Sequence, residues 1–265
     1  MHHAKKRFGQ NFLVDRAIIS QIVDSIQPQA DDIMLEIGPG LGAMTKPLLS
    51  QLTQLHVIEL DRDIIPRLVN SCCFDNPQNR EKLVVHEMDV LEFDFAAFHK
   101  QHCPPGKKLR VVGNLPYNIS TPVLFHLLAF RRLIQDMHFM LQKEVVERIV
   151  AAPRNKQYGR LSVMIQTFCD AEFLFEVPPQ AFEPAPKVDS AILRLLPSTQ
   201  HETRITDFSL YEKLVRLAFS QRRKTLKNTL KGICSATQIE QAGLSPGQRA
   251  EELSIVDFVS LYSQL

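Results

Sequence analysis

Short apolar runs recur along the first two-thirds of the chain, at Ile33–Ile37, Leu55–Ile58, Leu83–Val85, Leu109–Val112 and Met137–Leu141, each closing on polar residues. Between them lie longer stretches with helical spacing, such as Val123, Leu124, Leu127 and Leu128. This alternation predicts an α/β domain, a parallel sheet wrapped by helices. Two more runs, Phe173–Val177 and Ala191–Leu196, flank the proline-rich segment VPPQAFEPAPKVDS with no helix between them. They predict an antiparallel pair closing one edge of the sheet. Past Leu196 the texture changes. The run PSTQHETR reads as a linker and Phe208–Leu265 as helices. The expected organisation is therefore a nucleotide-binding domain over residues 1–197, with a basic N-terminal segment at 1–13, followed by a small helical domain over 204–265.

Composition narrows the class without naming a chemistry. With 45% hydrophobic and 23% charged residues and scattered glycine and proline, the 265-residue chain excludes collagen-like, mucin-like and disordered readings. No apolar run is long enough to span a bilayer, and MHHAKKRFGQNFL lacks the apolar centre of a secretory signal. Five cysteines without a CxxC argue against a disulfide framework or structural zinc, and nine histidines without HExxH against a catalytic metal. A reduced, cytoplasmic protein without metal is expected. The 31 basic and 29 acidic residues give a net charge of only +2. The distribution says more: Lys213, Arg216, Arg222, Arg223, Lys224, Lys227 and Lys231 form a run with no acid among them. Lys224, Lys227 and Lys231 share one face of a helical spacing and Leu226, Leu230 and Ile233 another. That predicts an amphipathic helix offering its basic side to solvent or to a polyanion.

Candidate chemistry begins with the glycine turn in Leu35-Glu36-Ile37-Gly38-Pro39-Gly40-Leu41-Gly42-Ala43, directly after a predicted strand. Glycines at a strand-to-helix turn admit positive φ and let a ligand approach the backbone closely. Gly38, Gly40 and Ala43 also satisfy the dinucleotide fingerprint, which leaves a nicotinamide-dependent oxidoreductase open at this point. Glu59 follows at the end of the second strand, placed to accept hydrogen bonds from both hydroxyls of an unphosphorylated ribose. Asp89 ends the third, placed to meet an adenine amino group. The fourth ends in Asn114-Leu115-Pro116-Tyr117. An exocyclic adenine amine is a poor nucleophile because its lone pair is delocalised into the ring. The Asn114 side-chain oxygen and the Leu115 carbonyl, presented by a turn that Pro116 constrains, can accept its two N–H bonds and favour a tetrahedral nitrogen. Tyr117 supplies a flat face for the base. Phe182, in the proline-rich loop, is a candidate second face or else a plug for the local core.

The segments KKRFGQNFL, EIGPGLGAMT, VIELDRD, GNLPYNIS, HFMLQKEVVERIV, YGRLSV, VPPQAFEPAPKVDSA and FSQRRKTLKN resemble the small-subunit ribosomal RNA adenine dimethyltransferases, from Lys5 to near the C-terminus. The resemblance implies a Rossmann-like methyltransferase fold using S-adenosylmethionine to place two methyls on N6 of each of two adjacent adenosines. The implied target is a hairpin loop near the 3′ end of small-subunit rRNA, met in an immature subunit. By matching positions it implies cofactor contacts at Asn11, Leu13, Gly38, Gly40, Glu59, Asp89 and Asn114. It places Asn114–Tyr117 and Phe182 around the target adenine. RNA contacts are implied at Lys5, Lys6, Arg7, Arg222, Arg223, Lys224 and Lys227. A monomer is expected. Two alternatives remain beside it: a large-subunit rRNA dimethyltransferase of the antibiotic-resistance type, and a protein acting mainly as a small-subunit assembly factor. Several features have bland readings: His99 and His102 as surface-loop residues, Cys169 and Cys234 as small core side chains, Phe93, Phe95 and Phe98 as core. Asn70–Glu81, with Cys72 and Cys73, is expected to be a loop.

Overall fold

The computed structural model describes residues 11–201 and 203–265; Lys5, Lys6 and Arg7 lie outside them. The described strands are β1 (Phe12–Leu13), β2 (Ile33–Ile37), β3 (Leu55–Glu59), β4 (Leu83–Glu87), β5 (Leu109–Asn114), β6 (Ile134–Gln142), β7 (Cys169–Val177), β8 (Phe182–Glu183) and β9 (Ser190–Pro197). Seven form one sheet in the order β4-β3-β2-β5-β6-β9-β7, and β1 pairs with β8 in a separate two-stranded ribbon. The five strands from β4 to β6 pair in parallel, and β9 runs antiparallel to β6. Strands covered on both faces read as continuous apolar runs, and β3 is buried along its whole length. Strand order reverses between β2 and β5, which marks the carboxyl ends of these strands as the place for a ligand.

Helices α1 (Arg16–Ile26), α2 (Thr45–Gln51), α3 (Ile65–Cys73), α4 (Asn79–Lys82), α5 (Phe95–His102) and α6 (Ser120–Ala129) connect or flank the parallel strands. Helix α1 starts where Asp15 accepts the Ala17 and Ile18 N–H groups at 2.9 and 3.2 Å, and ends at Gln27 in the left-handed region. Helices α3 and α4 correct the expected loop at Asn70–Glu81. The Asn79 side-chain amide donates to the Cys72 carbonyl at 2.8 Å, and Cys72 is buried. His99 and His102 lie on α5 rather than in a loop, with the His102 ring 4.5 Å from that of His56. Phe93, Phe95, Phe98, Cys169 and Cys234 are buried.

Near the amino ends of β5 and β6, Arg110 holds a buried charge network. Its Nε and Nη2 donate to the two carboxylate oxygens of Asp136 at 2.9 and 2.8 Å, and its Nη1 donates to Asp32 at 2.6 Å. The same guanidinium donates to the carbonyls of Ile26 and Gln27 at 2.5 and 3.2 Å. One planar fork thus joins β5, β6, the start of β2 and the end of α1.

By internal contacts the chain divides into two units, residues 1–144 with 173–195, and residues 145–172 with 196–265. This differs from a single boundary near 197–204. The second unit gathers most of α7 (Lys143–Val150) and α8 (Arg160–Phe168) with α9 (Phe208–Ala218), α10 (Leu226–Thr229), α11 (Ala236–Gln241) and α12 (Ile255–Tyr262). Its core is centred on Tyr211, fully buried and hydrogen-bonded to Thr167 at 2.8 Å, and Tyr158 donates to the Leu253 carbonyl at 2.8 Å. A 60-residue helical tail has little apolar surface of its own to bury, and two more helices enlarge its core. The expected amphipathic helix is reduced to the single turn of α10, yet its two faces persist: Leu226 and Leu230 are buried while Arg222, Arg223, Lys224, Lys227 and Lys231 are exposed.

Candidate functional site

The turn after β2 is tied to the neighbouring strand, the Gly38 N–H donating to the Ile58 carbonyl at 3.0 Å. Gly40 has φ +57°, and a Cβ there would stand 3.3 Å from the Phe12 ring, so this position needs glycine both for its backbone and for the approach of β1. One strand over, a Cβ on Gly113 would lie 2.5 Å from the Ile37 carbonyl. Glycine there lets β5 lie directly beside β2 and carry Asn114 to the same edge as the glycine turn.

A cavity of about 330 Å³ opens at this edge. Ten of the predicted residues line it: Asn11, Leu13, Gly38, Gly40, Glu59, Asp89, Asn114, Leu115, Pro116 and Tyr117. Ile37, Ile58, Met88, Val90 and Ile119 add apolar wall, giving the few polar groups in a largely apolar cleft that characterise small-molecule sites. Glu59 ends β3, and its Oε1 accepts the Asp61 N–H at 2.8 Å. Burial raises its carboxyl above the ordinary range, while backbone N–H groups of Asp61 and Gly40 oppose that rise. Asp89 accepts the Leu91 N–H at 2.9 Å, which caps a short 3₁₀ turn and turns the carboxylate at the strand's end.

Asn114 ends β5 with its Nδ2 donating to the Asn11 carbonyl at 3.3 Å. That bond leaves the side-chain oxygen as the amide's acceptor for another group. The Leu115 N–H donates to the Met140 carbonyl at 3.2 Å and the Ile119 N–H to the Pro116 carbonyl at 3.1 Å, so the turn is braced at both ends. The Tyr117 hydroxyl stands 2.7 Å from Ser190 Oγ.

Phe182 stands apart from these ten. It does not line the cavity. It is 4% exposed, packs in the main core cluster, and pairs through β8 with Leu13. Its ring packs in the same core cluster as Leu13, its partner on the cavity-lining β1. Sequence reasoning also missed Glu36, which the strand pattern hides as one polar residue in an apolar run. Glu36 lines the cavity, is 1% exposed, and accepts the Thr45 hydroxyl at 2.8 Å. Burial pushes its carboxyl up to about 7, with the Thr45 hydrogen bond opposing and the nearby Glu59 charge adding. Among the described residues no group of three or more His, Cys, Asp or Glu is arranged to hold a metal ion, and no helix is long and apolar enough to cross a membrane.

In the second unit, Arg222 donates to the Lys156 carbonyl at 3.2 Å and lies 3.5 Å from Glu251. Arg223, Lys224 and Lys227 stand exposed beside it.

Comparison with known proteins gives concordant findings. The family described as "Ribosomal RNA adenine dimethylase" matches residues 1–265. A "Ribosomal RNA small subunit methyltransferase A" from Neisseria meningitidis is 52% identical over 264 residues, covering 100% of this chain and 97% of the relative. A crystal structure of a dimethyladenosine transferase from Plasmodium falciparum superposes with a TM-score of 0.76 at 27% identity, covering 94% of this chain and 95% of that one. The crystal structure of the 23S rRNA methyltransferase ErmE gives 0.67 at 26% identity, covering 96% and 99%.

Proposed function

Since the chain belongs to the ribosomal RNA adenine dimethylase family and is an S-adenosylmethionine-dependent small-subunit rRNA adenine dimethyltransferase, we propose that it dimethylates N6 of two adjacent adenosines in a hairpin loop near the 3′ end of that rRNA. The substrate is an immature small subunit in the cytoplasm, and the enzyme works as a monomer. The convergence of Asn114–Tyr117 with Glu59, Asp89 and the glycine turn on one cavity carries this reading.

The cavity fits the cofactor. Its volume is at the lower end of the roughly 300–1,000 Å³ of small-molecule sites, and it offers one carboxylate at the end of β3 and another just past the end of the neighbouring β4. Glu59 holds the ribose, Asp89 the adenine amino group, and Asn11, Leu13, Gly38 and Gly40 enclose the remainder. When bound, the sulfonium supplies an already activated methyl group. The protein's task is then positioning. The Asn114 side-chain oxygen and the Leu115 carbonyl accept the two N–H bonds of the target amine, turning its lone pair toward the methyl, and Tyr117 supports the ring. No strong side-chain base is needed, because an aromatic amine that has gained a methyl sheds its proton readily.

Glu36 makes cofactor binding depend on pH. A carboxyl raised to about 7 is largely protonated at pH 6 in the free protein, and a cationic ligand in the same cavity favours the carboxylate. Binding at pH 6 therefore releases up to about one proton. Affinity rises as pH increases toward 7 and levels above it. Calorimetry at pH 6 in two buffers of different ionisation enthalpy reads the proton directly. Glu36→Gln removes it, and an equal heat in both buffers for the unaltered protein refutes the coupling.

In the helical unit Arg223, Lys224 and Lys227 contact rRNA phosphates, while Arg222, engaged with Lys156 and Glu251, is partly committed to holding the loop. The Arg223→Gln/Lys224→Gln/Lys227→Gln variant is expected to lower the slope of log affinity for small subunits against log salt by about two to three. Its affinity for S-adenosylmethionine stays unchanged. An unaltered salt slope removes these residues from the RNA contact.

A further inference from the structure

Stacking a base needs only an aromatic face, and phenylalanine offers one as well as tyrosine does. The hydroxyl of Tyr117 therefore has to be explained separately, and the structure shows where it goes. It meets Ser190 Oγ at 2.7 Å. Ser190 is fully buried and opens β9, where it pairs with Gln142 of β6, and the Lys143 N–H binds the carbonyl of the preceding Asp189 at 2.9 Å. The serine is thus fixed within the sheet. Tyr117 lies instead in the turn between β5 and α6, half-buried at the cavity wall. Its backbone is held where Ser120 Oγ donates to the Tyr117 carbonyl at 3.2 Å. That bond fixes the near end of the residue and leaves the ring free to swing about its side-chain torsions. The hydroxyl-to-serine bond holds the far end.

We propose that Ser190 is a positioning residue for methyl transfer: its buried hydroxyl locks the Tyr117 ring in the pose that supports the target adenine. The inference rests on the reading of Tyr117 as the base platform. A mispositioned ring leaves binding of the rRNA particle intact, because that depends on a wide surface, and slows the step in which the amine must lie in line with the methyl. The second transfer, to a bulkier secondary amine, tolerates less ring movement than the first.

The test uses the full chain on small subunits lacking the modification, reading kcat, KM, melting temperature and the ratio of monomethyl to dimethyl adenosine. Ser190→Ala and Tyr117→Phe are each expected to lower kcat about three- to tenfold, the loss of one buried hydrogen bond. KM stays within about twofold on the same account, and monomethyladenosine accumulates. The double variant is no worse than either single one, and Ser190→Thr restores dimethylation. Either single variant at full kcat, or effects that multiply in the double variant, overturns the proposal. Tyr117→Phe removes the same bond from the cavity side, so a folding defect in Ser190→Ala leaves the test standing. Tyr117→Ala separates the two levels. Full activity in Tyr117→Ala refutes the platform reading itself, whereas its loss alongside an unaffected Ser190→Ala and Tyr117→Phe refutes only the role of Ser190.

Discussion

Asn114→Ala is expected to lower kcat for methyl transfer by about 10²- to 10³-fold, the range seen when one preorganised polar group facing a developing charge is removed. The variant loses the side-chain acceptor that draws the amine toward tetrahedral geometry, and with it the Nδ2 bond to the Asn11 carbonyl at 3.3 Å. Gly113 and Leu115 hold the backbone on either side through the Ile37 and Met140 strands, and the Pro116 carbonyl accepts the Ile119 N–H, so the turn itself persists. Cofactor affinity then falls far less than kcat, because the Glu59 and Asp89 contacts are untouched. Single-turnover transfer with small subunits, run beside equilibrium binding of S-adenosylmethionine, separates the two effects. A fall in kcat of less than about tenfold places the amine's acceptor elsewhere.

Arg110→Met carries the largest expected effect on stability. The substitution removes the cation from a site where Asp32 and Asp136 have side chains only 10% exposed, leaving two carboxylates without their counter-charge, Asp32 keeping only the Gln29 N–H at 2.8 Å. Breaking a buried ion pair in this way costs about 3–5 kcal/mol. At roughly 2–4 °C per kcal/mol for a chain of this size, the melting temperature falls by about 6–20 °C. The network lies away from the cavity residues, so kcat measured well below the melting temperature is preserved. Removing the charges together, as Asp32→Asn/Arg110→Met/Asp136→Leu, recovers most of the loss, because the penalty belongs to the orphaned carboxylates. Thermal and urea unfolding report both variants. A melting temperature unchanged within about 2 °C in Arg110→Met contradicts a structural role for the network.

Periodicity exposed the sheet because a strand buried on both faces is a run of apolar residues whatever its partners. All seven sheet strands lie where such runs stand, and they extend past them at polar ends such as Glu87 and Asn114. The β1–β8 ribbon was not legible, since two strands of two residues carry no period. For the same reason the sequence does not show that Phe182 pairs with Leu13 and packs in the core cluster. Residues 145–172 fell with the first domain because amphipathic spacing tells which face is buried and not which helices cover it. The helix expected around Lys224–Lys231 shrank to one turn because Ser220–Thr225 forms a turn rather than helix, although the separation of basic and apolar sides survived.

The site was legible to the extent that its residues stand at strand ends. Glycine turn, Glu59, Asp89 and Asn114–Tyr117 occupy the same edge because parallel strands deliver their carboxyl ends together. Glu36 and Arg110 share the opposite character: each is a charged residue inside an apolar strand, invisible to a search of strand ends. A charge in such a run is itself a signal, since it must find a partner or shift its pKa when buried. Arg110 opposite Asp136 on neighbouring strands is that signal in a paired form. Ser190 carried none, for a serine at the start of a strand is ordinary until the Tyr117 hydroxyl is placed beside it.

The most direct test is transfer of labelled methyl from S-adenosylmethionine to small subunits lacking adenine dimethylation, with large subunits and free rRNA alongside and Asn114→Ala as the control. The account predicts N6,N6-dimethyladenosine in two adjacent positions of the small-subunit rRNA, with the large subunit unlabelled and the control slowed by about 10²- to 10³-fold. Label in the large subunit, or dimethylation undiminished in Asn114→Ala, contradicts it.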